Sequence, residues 1–485
     1  MELEIVGALA IHTVLSKLSP RDVAMVACVS KGFRTYASEN SLWSLICANE
    51  LCLSSPQDSL GNLLPSFKEA YQAWREAFGM YPWSLVRRVI RFWSRIKSWL
   101  AANFPEAVPT LRKGVTEDEI KELEKSLKVK LPLPTRLVYR FCDGQELPSE
   151  ECRGSMRGSL LGLIGGYTFY THQVNVFLLP LKQVILETKD IIRHLGFSSQ
   201  SKYLVVAASC TNDEKFFFLN CANGQLYVGT ANLISDGEMI PCVPNGLISS
   251  VHDPKDSQQQ DAMLLWLEEH VRRLEGGIIK VREEGKIRGI NLFPEQPPQC
   301  STAVTNGVQV RASAVFVPEA SDLQSEYEKF MFSYSIRMCL LPPGCVIRGM
   351  SFGSCQLYWR HWIIRAHDNV ESDVNGEAVI GKVGGLPQTD QGECLLINFE
   401  KPTTNFNGQS CMETRGWLHN ASDPFPLLSP GDNEFVYESC TPLRSSPGSV
   451  EGSFTFVPGS LADPKGGAFR VEVARFPLQF PDYIF

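Results

Sequence analysis

The sequence lacks the features that direct a chain into or across a membrane. Its first residues include Glu2 and Glu4 where a signal peptide has basic residues, and two polar residues break the apolar stretch that follows. The most apolar long window, Leu160–Leu181, contains glycines and polar residues, so it does not provide the roughly 20 apolar residues of a spanning helix. We therefore expect neither a signal peptide nor a transmembrane helix.

Closely paired cysteines are also missing. The chain has 15 cysteines, an odd number, and no two of them form a CxxC pair. Stable disulfides belong to oxidising compartments, so this pattern favours free thiols in the cytoplasm, the nucleus or both. The formal net charge is only −7, which predicts no broad affinity for nucleic acid and no stable association with an anionic membrane.

What the chain does have is enough residues for several cores. At 485 residues it exceeds one ordinary domain, and roughly 100–200 residues per domain gives about three. Residues 1–50 show helical patterning, and Ser19, Pro20 and Asp22 together predict a helix start. We expect a three-helix unit there. A unit of about 40 residues is near the size at which a domain needs outside help to stay folded.

The next part of the chain is also predicted to be helical. Residues 51–82 read as a helical linker, and an amphipathic helix with a basic face begins near Trp83. A second helix follows with Thr116 as its cap and Glu119 three residues later, which is the pattern of a capping box. The helices open a new domain.

Strand signals follow these helices, so residues 83–280 are predicted to form an α+β domain. A linker at 281–304 is expected after it because this stretch contains proline and glutamine and no long periodic pattern. The predicted strands are Leu161–Leu163, Tyr203–Ala208, Phe216–Asn220 and Gln225–Gly229, and a helix at Met263–Leu274 closes the region.

Period-two alternation dominates residues 305–485. Apolar residues recur at every second position, and about seven short strands are separated by turn signals, which predicts an all-β immunoglobulin-like sandwich. The predicted strands are Val308–Phe316, Phe332–Leu340, Gln356–Ala366, Glu377–Ile380, Asn433–Glu438, Gly452–Val457 and Phe469–Ala474.

Three patterns resemble catalytic, cofactor-binding or metal-binding motifs, and each has a simpler structural explanation. Gly349–Gly353 matches GxSxG, but an aromatic strand follows it where a nucleophile elbow needs a helix. The glycine-rich stretch 376–381 is better explained as a turn, and the spacing of Cys355, His361 and His367 matches no standard zinc site. We expect no catalytic, cofactor-binding or metal-binding residues.

The basic helix at residues 87–100 leaves a second class of function open. Arginines combined with Trp93 and Trp99 can lie in a membrane interface or bind phosphate groups, which would make the protein a membrane- or phosphate-associated scaffold. The opposing explanation is that the apolar stripe faces a core while the arginines face solvent.

Several motifs carry a resemblance to known families. Leu15–Val23, Val29–Phe33 and Ser41–Trp43 resemble an F-box, the module that binds the Skp-type adaptor of a cullin–RING ubiquitin ligase. The central region resembles a SUKH domain and the last region resembles ApaG, and their order resembles a plant family of F-box proteins. The SUKH motifs are Trp93–Leu100, Gly114–Ile120 and Cys142–Gly144, and the ApaG motifs are Arg360–Ile364, Asn375–Gly381, Glu434–Tyr437 and Val450–Phe454.

The resemblance implies a non-catalytic substrate receptor, which binds the adaptor through the F-box and an unidentified protein target through the other domains. Residues 382–425 resemble an insertion in the ApaG domain. The apolar side chains of the F-box have an alternative use, which is to dock on the central domain. The adaptor-binding residues are expected to be Leu15, Leu18, Pro20, Val23, Val26, Val29, Phe33, Leu42 and Trp43. Tyr358, Trp359, Arg360 and Trp362 are expected to bind the target, since Tyr, Trp and Arg dominate protein interfaces.

Overall fold

The structure is a computed structural model. It describes residues 7–59, 61–148, 160–169, 172–195, 202–210, 215–233, 239–249, 259–284, 287–327, 329–377 and 425–485. The proposed insertion, apart from Phe425, lies outside the described residues, as does the end of the strand predicted at Glu377–Ile380.

The N-terminal unit contains four short helices, so the prediction of three was wrong. Ser19 and Ser30 cap the second and third helices by accepting hydrogen bonds from the backbone N–H groups of Asp22 (3.2 Å) and Phe33 (3.1 Å). These caps divide the short sequence into separate helices. The helices are α1 (Ala8–Leu15), α2 (Pro20–Val26), α3 (Lys31–Tyr36) and α4 (Asn40–Leu51).

The helix that follows the N-terminal unit shares a hydrophobic core with that unit and with the next helix. In the predicted linker, helix α5 (Phe67–Ala77) packs on α4 and leads into the long helix α6 (Trp83–Asn103). Tyr71 of α5 lies between two tryptophans, with ring centroids 5.3 Å from Trp43 and 5.9 Å from Trp83. Aromatic contacts therefore connect the N-terminal unit to the central domain.

The central domain is α+β, as predicted. Helices α7 (Glu117–Leu127), α8 (Leu133–Phe141), α9 (Leu181–His194) and α10 (Ala262–Glu275) accompany an eight-stranded sheet in the order β6-β5-β4-β3-β2-β1-β8-β7. The predicted capping box of Thr116 and Glu119 is present at the start of α7. The strands are β1 (Gly165–Phe169), β2 (His172–Leu178), β3 (Tyr203–Ser209), β4 (Phe216–Asn220), β5 (Leu226–Gly229), β6 (Met239–Pro241), β7 (Lys280–Glu284) and β8 (Ile287–Asn291).

Two predictions in this region were wrong. The first strand lies at Gly165–Phe169, not at Leu161–Leu163, and most of the expected linker 281–304 is strand. Strands β7 and β8 extend the central sheet, with Gly166 of β1 opposite Asn291 in parallel pairing. Charged residues obscured the strand pattern, but Arg282 can lie in the sheet because it pairs with Glu295 at 2.8 Å.

The C-terminal domain is a sandwich of two antiparallel sheets, as predicted. One has the order β17-β11-β10-β9 and the other the order β15-β14-β18-β19, while β12 and β13 form a separate hairpin and β16 pairs with β14. The strands are β9 (Cys300–Thr305), β10 (Val308–Phe316), β11 (Phe330–Leu340), β12 (Cys345–Ile347), β13 (Met350–Phe352), β14 (Cys355–Ala366), β15 (Asn369–Glu377), β16 (Leu427–Leu428), β17 (Phe435–Leu443), β18 (Gly448–Pro458) and β19 (Phe469–Leu478).

The central domain covers the outer face of the first sheet. Ser333 donates a hydrogen bond to the backbone oxygen of Thr168 (2.7 Å), and Arg282 donates one to the Ser335 hydroxyl (3.1 Å). Buried Arg337 pairs with Glu295 at 2.7 Å. Small and paired polar side chains thus form an interdomain contact in place of a solvent-exposed face.

The last described residues return to the central domain. The Ile484 N–H donates to the Cys242 carbonyl (3.1 Å), and the Trp266 indole donates to the Ile484 carbonyl (2.6 Å). The fully buried ammonium of Lys215 donates to the Phe485 backbone oxygen at 2.8 Å. Residues 477–485 therefore form a strap from the sandwich to α10.

Candidate functional site

The structure divides the predicted adaptor-binding residues into two groups. Leu15, Val23, Leu42 and Trp43 are buried in the chain's own core, so the prediction that they contact a partner was wrong. The Trp43 indole, for example, donates a hydrogen bond to the Ala37 carbonyl (2.7 Å) and packs on Tyr71. These side chains hold the helices together because helical periodicity places them on the inward stripe.

The other group is accessible. Val29 is 72% exposed, and Leu18, Pro20, Val26 and Phe33 are half-buried. Sequence reasoning missed Leu9, Val14 and Met25, which are also exposed, with Met25 at 62%. They could have been found as apolar residues that fall outside the inward stripe. We call the accessible residues the apolar set: Leu9, Val14, Leu18, Pro20, Met25, Val26, Val29 and Phe33.

Basic residues accompany the apolar set. Lys17 in the turn after α1, Arg21 on α2, and Lys31 and Arg34 on α3 are all exposed, whereas Asp22 is the exposed acid of that stretch. Arg34 also donates a hydrogen bond to the Ala27 carbonyl (3.2 Å), which fixes the turn between α2 and α3. An apolar surface with basic neighbours fits a partner that presents apolar and acidic groups.

A carboxylate also helps to anchor this unit to the rest of the protein. Glu50, at the end of α4, accepts hydrogen bonds from the Tyr71 hydroxyl (3.0 Å) and the Trp83 indole (2.9 Å), and Arg87 lies 3.5 Å away. Burial and the negative charge of Glu50 raise the pKa of Tyr71 well above its ordinary value, so the phenol stays a donor. Glu50 therefore connects α4, α5 and α6.

The predicted target-binding residues lie on β14, where three of them are accessible and the fourth is buried. Tyr358 is 42% exposed, and Trp359 and Arg360 are half-buried. Trp362 is 3% exposed and packs on Phe454 in the sandwich core, with ring centroids 5.2 Å apart, so its prediction as a surface contact was wrong. A bulge between Leu357 and Trp359 shifts the alternation there.

Further polar residues follow Trp359 along the same strand, and sequence reasoning did not assign them to the target-binding face. His361 Nε2 lies 2.8 Å from Asp373 on β15, and Arg365 contacts Glu451 on β18 at 2.9 Å. Half-buried Ile363 lies between them on β14. Strict alternation along β14 could have indicated these positions, because every second residue faces away from the core.

The basic face of α6 is largely paired. Arg88 contacts Glu268 (2.5 Å) and Arg95 contacts Glu275 (2.5 Å), both across to α10. Trp93 is buried, and its indole donates to the Val138 carbonyl (3.2 Å). The apolar stripe of this helix thus faces the core. None of the helices in the described residues is long and apolar enough to span a bilayer.

Two of the motifs that suggested enzyme chemistry lie in ordinary strands and turns, and the third, the glycine-rich stretch 376–381, lies outside the described residues after Glu377. The GxSxG serine, Ser351, lies in the β12–β13 hairpin, whose turn at Arg348 and Gly349 has positive φ angles. Cys355 is buried in the sandwich, whereas His361 contacts Asp373 across the sheet. Across the part of the chain that the structure describes, no three His, Cys, Asp or Glu side chains are grouped as metal ligands would be.

Two family models match the chain. An F-box-like model matches residues 10–49, which is the N-terminal helical unit, and the ApaG domain model matches residues 320–392 in the C-terminal part.

Three relatives extend these matches. F-box protein SKIP16 of Arabidopsis thaliana is 53% identical over 486 residues and 100% of both chains. Human F-box only protein 3 is 23% identical over 97% of this chain and 81% of its own length. Protein ApaG of Anaeromyxobacter dehalogenans is 28% identical over 37% of this chain and 96% of its own. The chain therefore belongs to the F-box proteins, as a member with an ApaG domain after the F-box.

Proposed function

We propose that the chain is the substrate-recognition subunit of an SCF-type ubiquitin ligase. The F-box unit binds a Skp-type adaptor and, through it, the cullin–RING core, while the central and ApaG domains recruit a protein target. The subunit itself is non-catalytic and acts in the cytoplasm, the nucleus or both. Its contribution to rate is proximity, because a bound target reacts as part of the same complex.

One observation carries the proposal. Val29 and Met25, 72% and 62% exposed, are large apolar side chains on a helical unit that matches the F-box-like model. Covering a Val or Met side chain stabilises a complex by about 1.5–3 kcal/mol each. A partner surface is therefore expected over these residues, and the alternative, docking on the chain's own central domain, does not cover them in this structure.

The target-binding face is proposed on β14 of the sandwich. Tyr358, Trp359 and Arg360 are accessible and are residue types that dominate interface energetics. Tyr358 and Trp359 are in ring contact, with centroids 6.1 Å apart, and Arg360 donates to the Glu377 carbonyl (3.2 Å). This arrangement presents aromatic surface beside a positioned guanidinium.

The proposal is tested by comparing adaptor capture by two full-length variants. Met25→Asp combined with Val29→Asp places charges in the apolar set, and Leu186→Asp is the matched control because Leu186 is 60% exposed on α9, elsewhere in the chain. In pull-downs from plant-cell extract, we expect the double variant to recover at least about tenfold less Skp-type adaptor and cullin than the wild type, while the control recovers wild-type amounts. Equal recovery by all three would refute the proposed face.

The alternative of a membrane-associated scaffold has less support. Carboxylates of α10 and α4 pair with three arginines of α6, so little net charge remains to attract an anionic bilayer. Liposome flotation at low and high salt tests it. Salt-sensitive binding that is lost with Arg91→Glu would favour the scaffold.

A further inference from the structure

One face of α6 carries a stripe of arginines. Arg87, Arg88, Arg91 and Arg95 follow one another at intervals of one, three and four residues, which places them along one side of the helix. Together with Ser84, Phe92 and Glu268 they line a groove of about 250 Å³ between α6 and α10. The apolar side chains of α6 are buried on the other side of the helix, so burial in the core does not explain the row of arginines.

Three of these guanidinium groups are held in place. Arg88 makes two hydrogen bonds to Glu268 (2.5 and 2.8 Å), and Arg95 makes three to Glu275 (2.5, 3.1 and 3.2 Å). Arg87 faces Glu50 at 3.5 Å. Paired side chains of this kind lose little further conformational entropy when they contact a ligand.

Arg91 differs from its neighbours. It lies one turn from Arg87 and Arg88 on one side and one turn from Arg95 on the other, and its side chain is exposed. Within the described residues its guanidinium forms no ion pair and no hydrogen bond, so four guanidinium groups share three carboxylates. One positive charge is left uncompensated in the middle of the groove.

We propose that this groove binds a phosphate monoester, with Arg91 as the central contact. A phosphate dianion offers three acceptor oxygens, so it can bond to Arg91 and to donors of the flanking arginines at the same time. A single carboxylate offers less charge and fewer acceptors. The groove is open to solvent along α6, which accommodates either a small phosphorylated molecule or a phosphorylated side chain of a protein.

The observations favour a local site over general anion attraction. The carboxylates of Glu268 and Glu275 pair with Arg88 and Arg95, and they repel any anion that does not reach Arg91. Recognition then depends on the position of one group. This site is separate from the apolar set and from β14, so it stands whether or not the proposed receptor function is correct.

The test uses a fluorescein-labelled heptapeptide, Gly-Ser-Gly-phosphoserine-Gly-Ser-Gly, with the full-length protein at low ionic strength. Its unphosphorylated form and a form with glutamate at the central position are the ligand controls. Arg91→Ala and Arg91→Lys are compared with the wild type and with Arg470→Ala, which removes an exposed arginine of β19. Fluorescence anisotropy gives the dissociation constants, and a thermal melt shows that each variant is folded.

We expect the wild type and Arg470→Ala to bind the phosphopeptide at least about tenfold more tightly than either control peptide. Arg91→Ala should lose about tenfold or more, and Arg91→Lys should lose part of that because it keeps the charge without the fork of donors. Competition by inorganic phosphate alone at low millimolar concentration points to a small phosphorylated molecule, and weak competition to a peptide. Phosphopeptide binding that is absent in the wild type, or unchanged in Arg91→Ala, overturns the proposal.

Discussion

The indole of Trp266 stacks on the ring of Phe485, with centroids 5.4 Å apart and ring planes 14° apart. Trp266 belongs to α10 of the central domain, whereas Phe485 follows the last strand of the sandwich. Arg273 lies 4.6 Å above the same Phe485 ring. A side chain contributed by one domain is thus enclosed by the core of another, and the two domains share apolar interior.

Phe485→Ala is predicted to weaken the contact between the sandwich and the central domain. Truncating a buried phenylalanine costs about 3–5 kcal/mol, because apolar burial is lost and a cavity remains. Chemical denaturation measures the loss. Tyr327→Ala, at an exposed aromatic of the sandwich, should change the free energy of unfolding by no more than about 1 kcal/mol. Equal losses in both variants would contradict the enclosed position of Phe485.

His270 is predicted to make the protein less stable in mild acid. Burial lowers the pKa of His270 to about 4, with Arg273 adding to the shift, while its Nε2 donates to the Leu163 carbonyl at 2.8 Å. The unfolded state takes up a proton near pH 6.5 and the folded state does not, so this contribution to stability is complete above pH 6.5 and declines towards pH 4.

The decline from pH 6.5 to pH 5.5 amounts to about 1 kcal/mol. Unfolding free energies of the wild type and of His270→Gln, measured at both pH values, isolate this term, because the variant lacks the titrating ring but keeps a hydrogen-bond donor. The wild type should lose about 1 kcal/mol more than the variant over this interval. Parallel pH profiles would show that His270 is protonated alike in both states.

Glu50→Gln is predicted to loosen the N-terminal unit. The amide replaces a carboxylate that accepts from Tyr71 and Trp83 and pairs with Arg87, and hydrogen bonds to charged groups contribute about 1.5–3 kcal/mol. Amide hydrogen exchange of α4 and α5 should become faster than in the wild type. Glu76→Gln, on the exposed side of α5, is the control and should leave exchange unchanged.

Substitutions of Trp362 and Tyr358 are predicted to have different effects on the free energy of unfolding, although the two residues are only four positions apart. Trp362→Ala should lower the free energy of unfolding by about 3–5 kcal/mol, because its ring packs on Phe454 and Tyr334. Tyr358→Ala should change it by no more than about 0.5 kcal/mol, since the side chain is largely at the surface. Comparable destabilisation by both would mean that Tyr358 is not available to a target.

Local sequence signals predicted much of the fold. The cap at Ser19 and the capping box of Thr116 and Glu119 occur where expected, because these bonds involve residues only three apart. The strand predicted at Phe216–Asn220 was confirmed to the residue, and the alternating residues from Val308 to Phe316 lie in one strand, β10, as predicted. In both, apolar residues and turn signals agree.

The errors arose where distant parts of the chain decide the outcome. Arg282 makes a poor strand residue in isolation, yet it lies in β7 because Glu295 pairs with it. Ser333 and Ser335 alternate with apolar residues as if one face were in water, but the central domain covers that face. Alternation separates two faces without saying what each contacts.

The candidate sites show the same limit. The amphipathic pattern showed that Leu15 and Val29 belong to short helices, but it did not show that Leu15 is buried and Val29 exposed. At β14 the bulge near Trp359 shifts the register, so a residue count could not tell Tyr358 from Trp362. Paired arginines of α6 were found as a basic face, and only the structure singled out Arg91.

The anchoring of the N-terminal unit through Glu50 has a geometric consequence for the proposed receptor. With α4 joined to α5 and α6, and residues 477–485 joining the sandwich to α10, the apolar set and β14 belong to parts of the chain that are tied to the same central domain. A protein carried on β14 would meet the ligase from the same direction each time. Which of its lysines receive ubiquitin would then depend on where those lysines lie on its surface.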